Sequence, residues 1–251
     1  LDPNHKKVLK YSHEGDFIKD FDIPFFADSF ILLGNGHFLF NMPESGTTTP
    51  QLCVADSTVT DLKYHLNYKE GQETGWGSDN IITKTSRITT FYKTPSDTIF
   101  VLNSDGVPFK GIVLDFNGKG VSEKAKLNFS ERFREELDNG AMFLMDNPFP
   151  LPNGLWVGAV RYKDKRYSII FDPAKNLCGG RDYGRNSTRP NSVFDMFWLC
   201  GADEEGNPIS LLENYALEYC NDIDSLDEEV VEALHNGDRV LVFYNLKYPE
   251  E

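Results

Sequence analysis

Three short segments, LCVAD at 52–56, IVLDF at 112–116 and SIIFD at 168–172, repeat one pattern along the chain. Each is an apolar run that ends on or next to an aspartate, and each follows another apolar strand pattern. The aspartates Asp56, Asp115 and Asp172 are 59 and 57 residues apart. A period of this length indicates repeated supersecondary units, and for units made only of strands it indicates the blades of a β-propeller.

Composition excludes several classes of protein. With 40% hydrophobic and 25% charged residues, the 251-residue chain has an ordinary globular composition and can bury one large core or two small ones. Acidic residues outnumber basic ones, 39 to 25, and the net charge of −14 argues against a nucleic-acid partner. No run of eighteen apolar residues exists, so no transmembrane segment is predicted. We expect a processed or shortened N-terminus, with a lipid anchor placed upstream of Leu1 if the chain is anchored.

Alternating apolar residues and turn signals predict an all-β chain of four-stranded antiparallel blades in one domain over 1–251. An N-terminal tail over 1–22 is followed by blades at 29–66, 86–129, 141–175 and 193–248, with polar loops at 67–84 and 176–192. The last strand of the second blade is predicted over 123–129. The pattern also predicts a helical turn at 130–137 capped by Ser130. A capping box that starts at Ser225 predicts a short helix over 225–234, which ends at Asn236-Gly237 before a closing strand.

Three segments resemble the Bacteroidetes-type six-bladed β-propeller proteins, which are related in form to NHL-repeat propellers. They are KVLKYSHEGDFIK at 7–19, SRITTFY at 86–92 with TIFV at 98–101, and GDRVLVFYNLK at 237–247, where Arg239 replaces a common proline. The resemblance implies an exported protein of unassigned activity, periplasmic or anchored to the outer membrane or cell surface as a lipoprotein. Because only about four blades are present, it also implies that the N-terminal blade or blades are missing or that the ring has fewer than six.

Long polar loops are the candidate ligand-binding sites, because binding residues collect on loops that a rigid scaffold holds. One loop carries Trp76 between two glycines, and another carries Arg181, Tyr183 and Arg185. Aromatic rings and guanidinium groups bind sugars, carboxylates and peptides. Arg87, within a predicted strand, is a candidate for the central channel. The alternative is that Trp76 packs on its own blade and the arginines pair with the acidic surface.

Metal and catalytic signatures are lacking in the sequence. It contains no G-x-S-x-G, H-E-x-x-H, P-loop or G-x-G-x-x-G pattern, and its five histidines are scattered. The repeated aspartates could ring a cation, but capping of the following turns is the simpler interpretation. The acidic segment 203–207 is similarly interpreted as a hairpin tip rather than a calcium loop. We therefore predict no cofactor and no metal. Cys53 and Cys200 are predicted to be buried thiols, and the disulfide state of Cys53, Cys178, Cys200 and Cys220 is left open.

These observations favour a non-catalytic binding module of the cell envelope that recognises a peptide, a glycan or a partner protein at the loop face. The alternative is a hydrolase or lyase acting on a carbohydrate or a lactone, which would need carboxylates or histidines converging on the channel. A third possibility is a structural subunit that completes its ring with another chain.

Overall fold

The computed structural model describes residues 1–43, 50–69, 81–127, 131–145, 147–163, 165–185, 192–193, 199–203, 205 and 207–245, with the backbone alone at 181–185. The chain divides into two compact units. The first comprises Leu1–Asp115 and Val121–Glu136, and the second comprises Phe116–Gly120 and Leu137–Glu251.

The first unit contains three antiparallel sheets whose strands are joined by hairpins. A two-stranded sheet is formed by β1 (Lys7–Tyr11) and β2 (Phe17–Asp22). A four-stranded sheet follows in the order β3 (Ser29–Leu32), β4 (Phe38–Asn41), β5 (Pro50–Ala55) and β6 (Leu62–Asn67). The next four-stranded sheet consists of β7 (Ile82–Lys84), β8 (Thr89–Phe91), β9 (Thr98–Leu102) and β10 (Pro108–Val113). Helices α1 (Glu123–Leu127) and α2 (Arg132–Asp138) come after these strands.

Aromatic packing builds the core of the first unit. Phe40 is fully buried, and its ring centroid lies 5.2 Å from that of Phe25 and 5.7 Å from that of Phe38. A second cluster joins the two four-stranded sheets, because Leu52 and Val54 pack with Phe91 and Leu102 among others. Burial of each such side chain stabilises the fold by roughly 1.5–3 kcal/mol. The two sheets therefore share a hydrophobic contact that holds β7–β10 in place.

The described residues of the second unit form two sheets and two helices. One sheet has the order β11 (Met142–Leu144), β13 (Trp156–Tyr162), β14 (Lys165–Asp172) and β15 (Leu177–Arg185), with β12 (Phe149–Pro150) also paired to β13. The other has the order β16 (Leu199–Ala202), β17 (Pro208–Leu212) and β18 (Val240–Phe243). Between β17 and β18 lie α3 (Tyr215–Tyr219), a 3-10 turn at Ile223–Ser225 and α4 (Glu228–His235). Leu234 of α4 is fully buried against Leu212 and Ala216.

The β-propeller prediction is wrong. The described residues form five separate antiparallel sheets of two to five strands, and these sheets are not arranged as a propeller. The resemblance to six-bladed, NHL-related propellers is therefore wrong too, as is the partial ring inferred from it. The physical reason for the error is that strands joined by hairpins pair locally in the same way in open sheets and in propeller blades. Ring closure depends on how whole sheets pack, and strand patterns do not encode that packing. That 1–251 is a single domain stays a prediction.

Several local predictions are also corrected. Residues 123–127 form α1 rather than a strand, since Ser122 Oγ accepts a hydrogen bond from Ala125 N at 3.2 Å and caps the helix. The predicted loop 176–192 contains β15. Ser225 does not cap α4, whose N-cap is Asp227, because the Ser225 hydroxyl donates to Asp222 O. Cys200 is exposed rather than buried, whereas Cys53 is fully buried as predicted. Ser130 lies outside the described residues.

The predicted turn caps are confirmed at Asp56 and Asp172, whereas that of Asp115 stays a prediction. Asp56 Oδ1 accepts hydrogen bonds from the backbone N–H groups of Thr60 at 2.6 Å and Asp61 at 2.9 Å. Asp172 Oδ1 accepts one from Ala174 N at 2.9 Å. Asp203 Oδ1 likewise accepts from Asn207 N at 2.7 Å, which makes that segment a hairpin tip. These aspartates therefore hold turns, as backbone-capping side chains do.

Candidate functional site

The predicted ligand-binding residues that the structure describes lie on separate elements. Trp76 lies outside the described residues. Arg181, Tyr183 and Arg185 lie on β15, which pairs with β14, and not on a loop. Arg87 is exposed in the turn between β7 and β8 rather than within a strand, and its backbone N–H donates to Thr85 Oγ1 at 3.3 Å. Arg87 belongs to the first unit and β15 to the second, so their role in ligand binding stays a prediction.

A cavity of about 410 Å³ lies in the first unit, between the sheet of β7–β10 and α1. This volume falls within the range of about 300–1,000 Å³ typical of ligand pockets. Its lining combines apolar, neutral polar and charged side chains: Leu66, Phe91, Pro95, Phe100, Val113 and Leu127; Gln51, Asn67, Ser96 and Thr98; Lys69, Lys93, Asp97, Glu123 and Lys126. Such a mixture can bury the body of a ligand and fix its polar groups.

The apolar wall of the cavity follows from strand register. Phe91 on β8 pairs with Phe100 on β9, and their ring centroids are 6.5 Å apart. Phe100 in turn pairs with Gly111 on β10, and Thr98 pairs with Val113. Directly paired residues project on the same face of a sheet, so Phe91, Phe100 and Val113 share the cavity face. Gly111 adds no side chain to this row, and Thr98 Cγ2 lies 3.2 Å from the position that a Cβ of residue 111 would take.

An ionic network closes the side of the cavity that α1 forms. Lys126 Nζ lies 2.7 Å from Asp97 Oδ2 and 2.9 Å from Glu123 Oε1. Glu123 also accepts a hydrogen bond from Lys69, a residue 54 positions away in the sequence. Asp97 Oδ1 is buried and has no hydrogen-bond partner within the described part of the chain. The charge of Asp97 is therefore balanced chiefly by Lys126.

The network shifts the titration of its members. Hydrogen bonds from Lys69 and then Lys126 lower the pKa of Glu123 from 4.5 to about 2. Burial alone acts to lower the pKa of Lys126, but hydrogen bonds to Asp97 and Glu123 outweigh it, and the pKa of Lys126 is raised. Glu123 is therefore an ionised acceptor and Lys126 a fixed cation at neutral pH.

Lys93 supplies a buried cation at the cavity. Its side chain is buried, and Nζ donates to Met42 O at 3.1 Å and to the Tyr68 hydroxyl. The Tyr68 hydroxyl also donates to Met42 O at 3.0 Å, and Lys93 Nζ lies 4.7 Å from the centroid of the Tyr68 ring. A cation over an aromatic face is stabilised by the ring quadrupole. These contacts hold the Lys93 ammonium group in one position.

Sequence reasoning missed this cavity, because its residues are spread over β5, β6, β8–β10 and α1. One signal was available: Ser122 followed by Glu123 and Lys126 is a capping serine before an i,i+3 ion pair, which is typical of a helix start. Interpretation of 123–129 as a strand concealed it.

The described residues show neither grouped metal ligands nor a disulfide. Within the described ranges, no three His, Cys, Asp or Glu side chains are grouped so that they could hold a metal ion. The four cysteines, all in described segments, are free thiols. Burial raises the pKa of Cys53 to about 12, which keeps that thiol protonated and unreactive. None of the described helices is long and apolar enough to cross a membrane.

No protein-family model and no curated protein matches the chain. Among solved structures, the chain is similar to the crystal structure of a protein from Bacteroides fragilis NCTC 9343 that is provisionally described as exported. The TM-score is 0.70 at 17% sequence identity, over 99% of this chain and 73% of that one. At this identity the similarity concerns the fold.

Proposed function

We propose that the chain is a non-catalytic binding module that holds a peptide, a glycan or a segment of a partner protein in the cavity of the first unit. The observation that carries this proposal is the lining of the cavity. Its apolar wall of Phe91, Phe100 and Val113 stands beside fixed charges at Glu123 and Lys126. Ligand sites in proteins combine a largely apolar surface with a few oriented polar groups in this way.

Binding is favoured over catalysis by the state of the carboxylates. Cleavage of a glycosidic bond needs a carboxyl group that stays protonated near neutral pH so that it can donate a proton. The pKa of Glu123 is instead lowered to about 2, and Asp97 is paired with Lys126 at 2.7 Å. Glu123 is therefore suited to accepting hydrogen bonds from a ligand and not to donating a proton to one.

The proposed location is the cell envelope, by export. Support comes from the fold shared with the Bacteroides fragilis protein provisionally described as exported. Attachment as a lipoprotein at the outer membrane or cell surface is part of the same proposal. Fractionation of cells that express the native gene would detect the protein in periplasmic or envelope fractions. Recovery in the cytoplasmic fraction alone would contradict this location.

The cavity itself is tested by filling it. Val113→Trp places a large ring at the cavity wall on a residue that is 69% exposed, so the fold can accept it. Phe109→Trp is the matched control, because Phe109 is an exposed residue on the same strand and does not line the cavity. Arrays of immobilised peptides and glycans would be probed with the wild-type chain and both variants.

We expect at least one ligand class whose binding falls tenfold or more in Val113→Trp and stays unchanged in Phe109→Trp. Equal binding by the wild-type chain and Val113→Trp would place the ligand elsewhere on the molecule and refute the cavity as the site.

A further inference from the structure

The outer edge of β10 is open to solvent beside the cavity. β10 is the terminal strand of its sheet, and within the described segments it pairs with β9 alone. Lys110 and Gly111 are exposed, and Val113 is 69% exposed. A terminal strand presents a row of backbone N–H and C=O groups that can pair with another extended chain.

Strand register identifies the backbone groups that face this edge. Leu114 N donates to Asp97 O at 2.8 Å, which makes Leu114 and Asp97 a hydrogen-bonded pair. Hydrogen-bonded and non-hydrogen-bonded pairs alternate in an antiparallel ladder, so Ile112 is hydrogen-bonded to β9 as well. Gly111 and Val113 occupy the intervening pairs. Their N–H and C=O groups therefore point away from β9, toward the open edge.

The same two residues adjoin the cavity. Val113 pairs with Thr98, and Gly111 pairs with Phe100; Val113, Thr98 and Phe100 all line the cavity. A strand added next to β10 would lie roughly 5 Å further out. Its residues opposite Gly111 and Val113 would project side chains onto the cavity face, beside the row formed by Phe100 and Gly111.

We infer that the ligand of the cavity is an extended peptide that adds as a strand to the free edge of β10. This inference rests on the proposed function and narrows its ligand to one class. Four outward backbone groups, two each on Gly111 and Val113, match the alternating donors and acceptors of an extended peptide. A glycan offers no such row. The apolar wall at Phe100 favours a peptide with an apolar residue at the position that enters the cavity.

The edge is short, which limits the peptide segment that it binds. At the start of β10, Pro108 lacks an N–H and the register shifts between Pro108 and Lys110. Bulges and prolines of this kind protect a sheet edge from pairing. Pairing is therefore confined to 110–113, where two residues direct their backbone groups outward.

Val113→Pro and Val113→Ala form a matched pair of variants for the test. Both remove the valine side chain, but only proline also removes the outward N–H of residue 113. That N–H makes no bond to β9, so proline is compatible with the internal ladder. The probes are synthetic dodecapeptides selected from a random phage-displayed library against the full chain. A glycan array and the mass of the chain in solution are measured in parallel.

We expect the selected peptides to bind Val113→Pro at least fivefold more weakly than Val113→Ala. A second measurement does not depend on the folding of the proline variant: methylation of alternate backbone nitrogens of the peptide should weaken binding to the wild-type chain by fivefold or more. Methylation of the remaining nitrogens should have a smaller effect.

Three results would overturn the inference. Equal peptide binding by Val113→Pro and Val113→Ala, with no effect of N-methylation, would exclude strand addition. If glycans bind and no peptide does, and if Val113→Trp abolishes glycan binding, the cavity remains a binding site. Its assignment to peptides is then refuted. Self-association that is lost in Val113→Pro would assign the edge to a second copy of this chain. If peptides bind the wild-type chain and Val113→Trp equally well, the cavity is not the binding site and the proposed function itself is refuted.

Discussion

Lys126 Nζ on α1 lies 2.7 Å from Asp97 Oδ2, directly before β9, and this ion pair links residues 29 positions apart at the wall of the cavity. The side chain of Lys126 is only 12% exposed and that of Asp97 is 27% exposed. The pair is therefore shielded from water, and loss of either partner leaves the other charge poorly solvated.

Removal of the Lys126 ammonium group should destabilise the first unit. We expect Lys126→Met to lower the free energy of unfolding by about 1–3 kcal/mol, because Asp97 loses its charged hydrogen-bond partner. Urea denaturation followed by tryptophan fluorescence and circular dichroism measures the change. Lys124→Met is the control, since Lys124 is an exposed neighbour on the same helix and should change stability by less than about 0.5 kcal/mol. If Lys126→Met lowers the free energy of unfolding by the same amount in an Asp97→Asn background, the two residues are not coupled.

Glu123 should make stability depend on acid pH. Its pKa is lowered to about 2 from an ordinary value of 4.5, so its ionised form is favoured in the folded state. The resulting stabilisation is present above pH 4.5 and is lost as the pH falls from about 4.5 toward 2. We expect the stability difference between the wild-type chain and Glu123→Gln to shrink over this interval in pH-dependent urea titrations. Because 63% of the Glu123 side chain is exposed, 1 M salt should reduce the difference at neutral pH. A difference that is independent of pH would contradict the prediction.

The Asp56 carboxylate should be important for the turn between β5 and β6. It accepts backbone hydrogen bonds from Thr60 at 2.6 Å and Asp61 at 2.9 Å, and the Thr58 hydroxyl also donates to it. These bonds, with that of the Thr58 hydroxyl the largest cause, lower the pKa of Asp56. We expect Asp56→Ala to lower the stability measured in thermal or urea unfolding, as loss of a capping side chain does. Asp61→Ala is the control, because Asp61 takes part in the turn through its backbone. An equal loss of stability in both variants would contradict the role of the Asp56 carboxylate.

Substitution of Gly36 and of Gly106 by alanine distinguishes the cost of backbone strain from the cost of steric overlap. Gly36 and Gly106 both have φ of +79°, which any L-residue adopts with strain. A Cβ at Gly106 would lie 2.8 Å from Val54 Cγ2, whereas a Cβ at Gly36 meets nothing within 4 Å. We expect Gly36→Ala to cost about 1 kcal/mol, and Gly106→Ala to cost about 1–3 kcal/mol more because of overpacking. Thermal unfolding of both variants provides the comparison. Equal losses of stability would contradict overpacking at Gly106 and would show that the two sheets can move apart at this point.

Much of the secondary structure could be predicted because it depends on neighbours in sequence. The hairpin at Gly34-Asn-Gly36 and the end of α4 at Asn236-Gly237 are short-range features, and the structure contains both. The strand predicted over 123–129 was wrong at 123–127, because alternating charged and apolar residues in so short a segment fit a helix as well as a strand. There the Ser122 cap and the ion pair of Lys126 with Asp97 favour the helix.

The sequence by itself determined the predominance of β-strands, the antiparallel hairpins and the turn caps at Asp56 and Asp172, since each arises from residues a few positions apart. Tertiary structure decided that the sheets are not arranged as a propeller, and it placed the cavity. Lys69 and Glu123 are 54 residues apart, and the row from Phe91 through Phe100 to Gly111 crosses three strands. Such contacts depend on sheet register and on the packing of whole elements, and no local pattern of apolar and polar residues specifies them.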